Sequence, residues 1–590
     1  MLNRDRLASI FTFRLAKPAL AHHRLLRTMI SRLLLLLCSF AALVSLVRAA
    51  EARPNVLLVC VDDLKPLLGC YGDTKVKSPN IDRLAARGVL FERAYCNQAV
   101  CAPSRNSLMT GLRPTTLGIY DLATNFRKSM SNAVTVAQYF QRHGYRTEAM
   151  GKIMHVGHGN VEDAASWTVP HWKPKGGGYA LKENTTNARP STVGGPRGTA
   201  TESADVPDST YGDGQIADEA IRRLRAAKEK PGEPFFIGVG FLKPHLPFVA
   251  PKKYWDLYRA HSFAPHRQRT PPEGAPAFAP TTWGELRQYS DMPETGPLTR
   301  EQETHLIHGY HAAVSYMDAQ LGRVLDELDR LSLAANTIVI LWGDHGWHLG
   351  DHGMWCKHTN YEEATRIPFI MAAPGAPPGK RCGALVETVD LYPTLCELAG
   401  LPAPTGLDGA SFAAALRNPQ TAKTKDAVFH VYPRSPKGMG ELIGRAVRTE
   451  RHRLVEWKKA GAPADTGILE LYDYVTDPGE TKNLAGSQPE VVSRLRAILA
   501  SQPEAKPQLR TATNAVAGGG RSGAARPRQD RAAMFERRDT NNDGRLTREE
   551  FLEGQPDPAE APKRFPLFDS NKDGVLTKEE FIRAGKGGTP

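Results

Sequence analysis

Three observations predict an α/β protein built on a large, mostly parallel sheet. Residues 55–61 (Asn-Val-Leu-Leu-Val-Cys-Val), 235–239 and 338–342 are short, continuous apolar runs, the pattern of strands buried on both faces. Stretches with helical spacing lie between them. Residues 302–331 carry Ala313, Met317, Leu321, Val324 and Leu328 along one face, and 217–228 has similar character. Each apolar run also leads into polar residues: Asp62-Asp63, Lys243-Pro-His245 and Asp344-His345. Strands alternating with helices give an α/β layering. Ligands in such sheets gather beyond the carboxyl ends of the strands, which is where these acids and imidazoles fall.

In chain order, residues 1–50 read as an N-terminal extension and signal peptide. The run 33–47 is almost wholly apolar, follows Arg27 and Arg32, and is too short for a comfortable membrane span. Val47 and Ala49 suit the positions before cleavage, and Met29 is the expected initiator. The alternative is an uncleaved anchor; both export the rest of the chain to a periplasmic or secreted location, and cleavage would leave no stable membrane span. The net charge of +13 does not point to nucleic acid, because residues 1–50 and 506–538 hold the whole excess and the remainder is neutral.

Residues 51–400 form the expected catalytic domain. Of eight cysteines, Cys38 lies in the signal segment; Cys60 sits in an apolar run and reads as simply buried. Their spacings give no dense disulfide framework and no connectivity. Residues 401–502 change character, with short strand-like stretches at 427–432, 445–448 and 453–457, then Glu470-Leu-Tyr-Asp-Tyr474. Rich in Gly, Ala, Pro and Arg, 503–530 reads as a flexible basic linker.

Residues 531–590 contain one motif twice. Asp539, Asn541, Asp543, Arg545, Thr547 and Glu550 occupy positions 1, 3, 5, 7, 9 and 12 of a loop with Gly544 at position 6. Asp569, Asn571, Asp573, Val575, Thr577 and Glu580 repeat it around Gly574. Ca²⁺ takes six to eight oxygens, and this spacing wraps them around it in a helical EF-hand pair.

Chemistry concentrates at Cys101-Ala-Pro-Ser-Arg105, with Thr110-Gly111 beyond. This stretch resembles the maturation signature of type I sulfatases. The resemblance implies an alkaline-phosphatase-like sulfatase fold with a smaller C-terminal antiparallel sheet. It also implies that a separate maturation enzyme oxidises Cys101 to formylglycine, whose hydrated aldehyde is the nucleophile. Three carboxylates and an imidazole suit a hard cation, and the resemblance implies Ca²⁺ held by Asp62, Asp63, Asp344, His345 and the group at 101. Arg105, one helical turn beyond Cys101, is implied to stabilise the modified nucleophile.

Gly151-Lys152-Ile-Met-His155, Lys243-Pro-His245 and Lys357-His358 match sulfatase motifs in chain order. They imply that Lys152 and Lys357 neutralise sulfate oxygens, that His245 protonates the leaving alcohol, and that His155 acts as its partner base. The two histidine roles can be exchanged. Phe241-Leu-Lys-Pro-His-Leu-Pro-Phe248 and Gly343-Asp-His-Gly-Trp-His-Leu-Gly350 look like the iduronate-2-sulfatase branch, over about residues 53–490. The stretch 173–198 departs from it, which leaves substrate choice open. Tyr120 and Trp347 are candidates for the sugar site and equally for packing.

The expected activity is hydrolysis of sulfate esters on a uronic acid or related polysaccharide sugar. A phosphoesterase of the same superfamily is the nearest alternative, disfavoured by Cys101 and by the lack of a His-rich cluster. A non-catalytic carbohydrate- or calcium-binding protein is the more distant one.

Overall fold

The computed structural model describes residues 53–176, 178–190, 195–259, 262–510, 531–541, 543–553 and 561–583. The expected signal segment lies outside the described residues. Two compact units divide at 514/515.

The first unit is organised around seven strands: β1 (Asn55–Val61), β2 (Val89–Tyr95), β3 (Arg146–Gly151), β4 (Phe235–Phe241), β5 (Thr337–Gly343), β6 (Arg366–Ala372) and β7 (Lys380–Glu387). Their order in the sheet is β7-β2-β6-β5-β1-β4-β3. Only β6 runs against its neighbours; the other four pairings are parallel. The three strands read from the sequence lie side by side at the centre, where burial on both faces selects continuous apolar runs.

Alternate residues of these strands enter separate cores. Leu57, Val59, Ile237, Val239 and Leu341 pack on one face beneath α1 (Pro79–Arg87), α3 (Gly212–Lys228) and α4 (Arg300–Arg330). Val56, Leu58, Phe236, Ile338 and Ile340 pack on the other with Leu108 and Met109 of α2 (Cys101–Thr110). The long helix α4 starts two residues before the expected 302, because Thr299 and Gln302 form a reciprocal capping box.

Registers place the functional ends together. Val61 pairs with Phe241 on one side and Gly343 on the other, so Asp62, Leu242 and Asp344 leave the sheet at one level. Gly151 pairs with Gly240, which brings Lys152 to the same edge. A Cβ on Gly240 would sit 2.3 Å from the Lys152 backbone, so only glycine lets the chain cross there.

The smaller sheet is a four-stranded antiparallel meander of β8 (Ala427–Arg434), β9 (Leu442–Thr449), β10 (His452–Lys458) and β11 (Ile468–Asp473), flanked by α5 (Pro489–Ala500). The start of the expected linker is corrected here. Lys506 N–H donates to Thr115 O at 3.0 Å and Leu509 N–H to Gly118 O at 2.7 Å, so 503–510 belongs to the first unit. Composition missed this because the anchoring partners, Thr115 O, Gly118 O, Arg445 and Lys458, lie far away in sequence. All seven cysteines among the described residues are free thiols, and no helix there is long and apolar enough to cross a membrane.

The second unit holds α6 (Arg531–Arg538), β12 (Arg545–Thr547), α7 (Arg548–Leu552), α8 (Ala561–Phe568), β13 (Val575–Thr577) and α9 (Lys578–Arg583). Phe535, Leu546, Phe551, Phe565, Leu576 and Phe581 form its core, and Leu546 pairs with Leu576 between the loops. Asp539 accepts from Asp543 N–H and Gly544 N–H, and Asp569 accepts from Asp573 N–H and Gly574 N–H. Each first-position carboxylate thus curls its own loop, with a left-handed glycine at position 6.

Candidate active site

Cys101 opens α2 and is 2% exposed. Its Sγ lies 3.4 Å from His345 Nε2 and 3.6 Å from Lys152 Nζ. Burial pushes the thiol well above its ordinary pKa, with Asp62 adding to the rise. A neutral buried thiol is a poor nucleophile, which agrees with reading Cys101 as the precursor of another group.

Arg105 lies one turn further along α2, fully buried. Its Nη2 stands 3.0 Å from Asp62 Oδ1 and 3.0 Å from Asp344 Oδ2, while Nη1 donates to the Lys152 carbonyl. The guanidinium therefore ties α2 to the ends of β1, β5 and β3 at once. The family resemblance gave it a role toward residue 101; in the structure its direct partners are two carboxylates and two backbone carbonyls.

Asp63, Asp344, His345 and Cys101 bring ligand atoms within 4.8 Å of one another, and so do Asp62, Asp63, Cys101 and His245. The first group passes a test of fit to a cation. His345 Nδ1 lies 3.0 Å from Gly346 O, so that nitrogen carries a proton and donates it. The Nε2 then faces Asp63 Oδ1 at 3.2 Å and Asp344 Oδ1 at 3.6 Å. Acceptors face acceptors unless a cation or a further proton lies among them. Asp63 itself sits at φ +60°, a strained backbone for a residue with a Cβ that swings its carboxylate into the group.

The other predicted side chains converge on the same place. Cys101, Lys152, His155, His245, Glu285 and Lys357 line one cleft of about 730 Å³. Lys152 pairs with Asp62, and Lys357 Nζ lies 3.0 Å from both oxygens of Asp63. Burial works against the charge of each lysine, but the adjoining carboxylates outweigh it, and both stay protonated above the ordinary lysine range. Burial also pushes the Asp62 carboxyl up; Lys152, His245 and Arg105 overcome it and hold the group well below its ordinary value.

The two histidines differ in setting. His245 faces Leu246 O through Nδ1 and Glu285 Oε1, 3.0 Å away, through Nε2, so both nitrogens meet oxygen acceptors. One acceptor at each nitrogen fixes the plane of the ring. His155 is buried beside Lys152, which together depress its pKa to about 2, and its Nδ1 has no partner among the described residues. The ring is therefore neutral, with Nε2 3.1 Å from His158 Nδ1 and Nδ1 left as a buried, unmet nitrogen.

Glu285 was not foreseen. It bridges His245 Nε2 and Lys357 Nζ, each at 3.0 Å, from a loop segment with no strand or motif to mark it. Asp213 was missed too. From α3 it accepts from Leu242 N–H at 2.7 Å and Lys243 N–H at 3.0 Å, fixing the segment that carries His245.

Tyr120 and Trp347, read equally as sugar-site or packing residues, occupy packing positions. Neither Tyr120 nor Trp347 lines the cleft. The Tyr120 hydroxyl donates to Lys506 O at 2.6 Å, and its ring packs with Val431, Ile443 and Ala505. Trp347 is 1% exposed and packs on Phe248 beneath the Lys357 ammonium, which lies 5.0 Å over its ring. Each ring has its apolar area covered by neighbours, so no face remains for a sugar.

Comparison with known proteins identifies the family. A family model described as Sulfatase matches residues 54–401, one described as N-sulphoglucosamine sulphohydrolase, C-terminal, matches 350–504, and an EF-hand model matches 531–553 and 563–584. Mouse iduronate 2-sulfatase is 40% identical over 391 residues, 59% of this chain and 69% of its own. A solved 2-O GAG sulfatase aligns with TM-score 0.55 and 25% identity over 76% of this chain and 91% of its own. The phosphonate monoester hydrolase of Silicibacter pomeroyi shares the fold, with TM-score 0.60 and 22% identity over 76% and 94%.

Proposed function

The chain belongs to the sulfatase family and is a sulfuric ester hydrolase; from that premise we propose that it is an exported, Ca²⁺-dependent enzyme that desulfates a uronic acid or related polysaccharide sugar. The observation that carries this reading is the convergence of Cys101, Asp63, Asp344 and His345 on one point beside Lys152 and Lys357. The resemblance to iduronate 2-sulfatase supports the substrate class.

In this reading Asp62, Asp63, Asp344 and His345 hold Ca²⁺, and a maturation enzyme converts Cys101 to formylglycine. When present, the cation supplies charge that steadies oxygen anions and the formylglycine supplies a hydrated-aldehyde oxygen as nucleophile. The chain's own side chains do the rest. Lys152 and Lys357 bind sulfate oxygens at the mouth of a buried site, where each charge acts with little screening. Arg105 keeps Asp62 and Asp344 in place. His245 gives its Nε2 proton to the sugar oxygen as the sulfur–oxygen bond breaks, so the sugar leaves as an alcohol. His155, neutral, takes up the proton released in regenerating the site. The loops of the second unit would bind two further Ca²⁺ ions.

The test uses chain produced with a formylglycine-generating enzyme. Sulfate release from a uronate 2-sulfate is expected, with the Cys101 peptide lighter by the exchange of sulfur for oxygen and the loss of two hydrogens. Turnover by a chain whose Cys101 remains a thiol would sink the mechanism. A phosphonate monoester assayed alongside separates the two chemistries that this fold houses, and preference for it would displace the sulfatase reading.

A further inference from the structure

We propose that Arg197 and Arg434 form a second oxyanion subsite in the cleft, which selects substrates carrying another anionic group besides the scissile sulfate. The inference rests on the sulfatase reading and refines its substrate class.

Both guanidiniums line the same cleft as Cys101. Among the described residues the five buried arginines, Arg105, Arg223, Arg445, Arg448 and Arg453, each meet a carboxylate. Among the described residues no carboxylate pairs with Arg197 or Arg434. Arg434, the last residue of β8, is held by neutral groups: Phe278 O at 2.7 Å, Ala279 O at 2.8 Å, His358 O at 2.6 Å, Pro433 O at 3.2 Å and the Tyr432 ring, 4.3 Å from its guanidinium carbon. Those contacts fix its plane without supplying a counter-ion. Arg197 lies 5.7 Å from the Tyr289 ring, and its buried Nε has no partner. Its charge is felt in the cleft, where it acts with burial to depress His158.

Half-buried cations without counter-ions are costly unless a ligand answers them. Glu285, the one carboxylate among the lining residues, is already taken by Lys357 and His245. The scissile sulfate is answered by Lys152 and Lys357, so the two arginines are in excess of what one sulfate needs. A guanidinium presents paired N–H groups matched to a carboxylate or sulfate face. The cleft volume is that of a ligand larger than a single sulfate. Arg197 also stands in the stretch 173–198, where the family motifs lapse, as expected of a residue that sets substrate choice rather than chemistry.

The experiment compares kcat/KM for sulfate release from three sugars: a uronate 2-sulfate, its counterpart reduced to a neutral C6 alcohol, and a neutral sugar with two sulfates. Wild-type enzyme with verified formylglycine should prefer the doubly charged substrates by roughly 30-fold, the scale of one charge-assisted pair. Arg197→Gln and Arg434→Gln should each shrink that ratio toward unity, mainly through KM, and Arg197→Lys should restore part of it. A larger arginine-dependent gain for the uronate assigns the subsite to a carboxylate; a larger gain for the disulfate assigns it to a sulfate. An unchanged ratio, or an equal fall on all three substrates, overturns the subsite and leaves the sulfatase reading intact. Arg434 also pins two loops, so if Arg434→Gln does not fold, Arg197→Gln decides. Failure of the wild type to release sulfate from any of the three would sink the sulfatase reading, and this inference with it.

Discussion

Replacing Glu285 with Gln keeps shape and removes one charge from the centre of the cleft. Its carboxylate stands 3.0 Å from both His245 Nε2 and Lys357 Nζ. At an effective dielectric of about 20, a unit pair at that distance interacts by about 5 kcal/mol. Lys357 retains Asp63 at 3.0 Å, so part of the loss is absorbed there. His245 has no comparable substitute, since Asp63 Oδ2 is 3.9 Å away. A net loss of about 2–3 kcal/mol in transition-state stabilisation follows, or roughly 30–150-fold in kcat/KM. The loss should depend on the leaving group, because proton donation matters for a sugar alcohol and much less for a phenolate. The assay is therefore paired: sulfate release from a uronate 2-sulfate and from an activated aryl sulfate. Roughly 100-fold is expected on the first and under about 10-fold on the second, with the thermal midpoint little changed. Equal losses on both would refute Glu285 as the residue that holds the proton donor, leaving it a general electrostatic brace.

Three other outcomes follow from the same geometry. His155 is depressed to about 2 and takes on charge only below that pH; His155→Gln should lower turnover by about 10²-fold or more without moving the acid limb of kcat/KM between pH 4 and 7, and a displaced limb would contradict the neutral assignment. Burial raises Asp213 to about 6 from 3.8, so the folded state holds its proton more tightly. The stability this gives is complete below pH 3.8 and lost as pH rises through about 6. Relative to Asp213→Asn, wild-type unfolding free energy should fall by about 3 kcal/mol across that window, measured by denaturant titration, and a difference that does not vary with pH would count against it. In the second unit, Glu550→Gln and Glu580→Gln remove the twelfth-position carboxylates; calorimetry of the full chain should show Ca²⁺ affinity at each altered loop weakened by about tenfold or more, and unaltered titrations would argue that these loops do not bind the ion.

Much of this architecture was legible because burial on both faces leaves a strong mark. β1, β4 and β5 lie at the sheet centre and read as unbroken apolar runs. β2, β3, β6 and β7 did not stand out. β2 contains Glu92-Arg93 and β7 begins Lys380-Arg381, near the edge of the sheet where solvent tolerates charge. β3 buries Glu148, made tolerable by Arg223 of α3 seventy-five residues away. The EF-hand loops were fully legible, since every ligand position lies within twelve consecutive residues.

The site divides along the same line. Cys101, Arg105 and the acids at the strand ends are named by local sequence, because one turn of helix or the end of one strand fixes each of them. Glu285, Arg197 and Arg434 gain meaning only from partners far away in sequence: Glu285 from Lys357 and His245, Arg434 from the carbonyls of 278, 279 and 358. Chemistry common to all sulfate esters needs a fixed geometry, so it is written into short motifs on rigid elements. Recognition of the particular sugar needs only that cations and walls arrive at the right distance, and loops of different lengths can bring them there. A sequence read alone therefore reaches the reaction before it reaches the substrate, and the two cleft guanidiniums that meet no carboxylate among the described residues are where the fold says more than the motifs do.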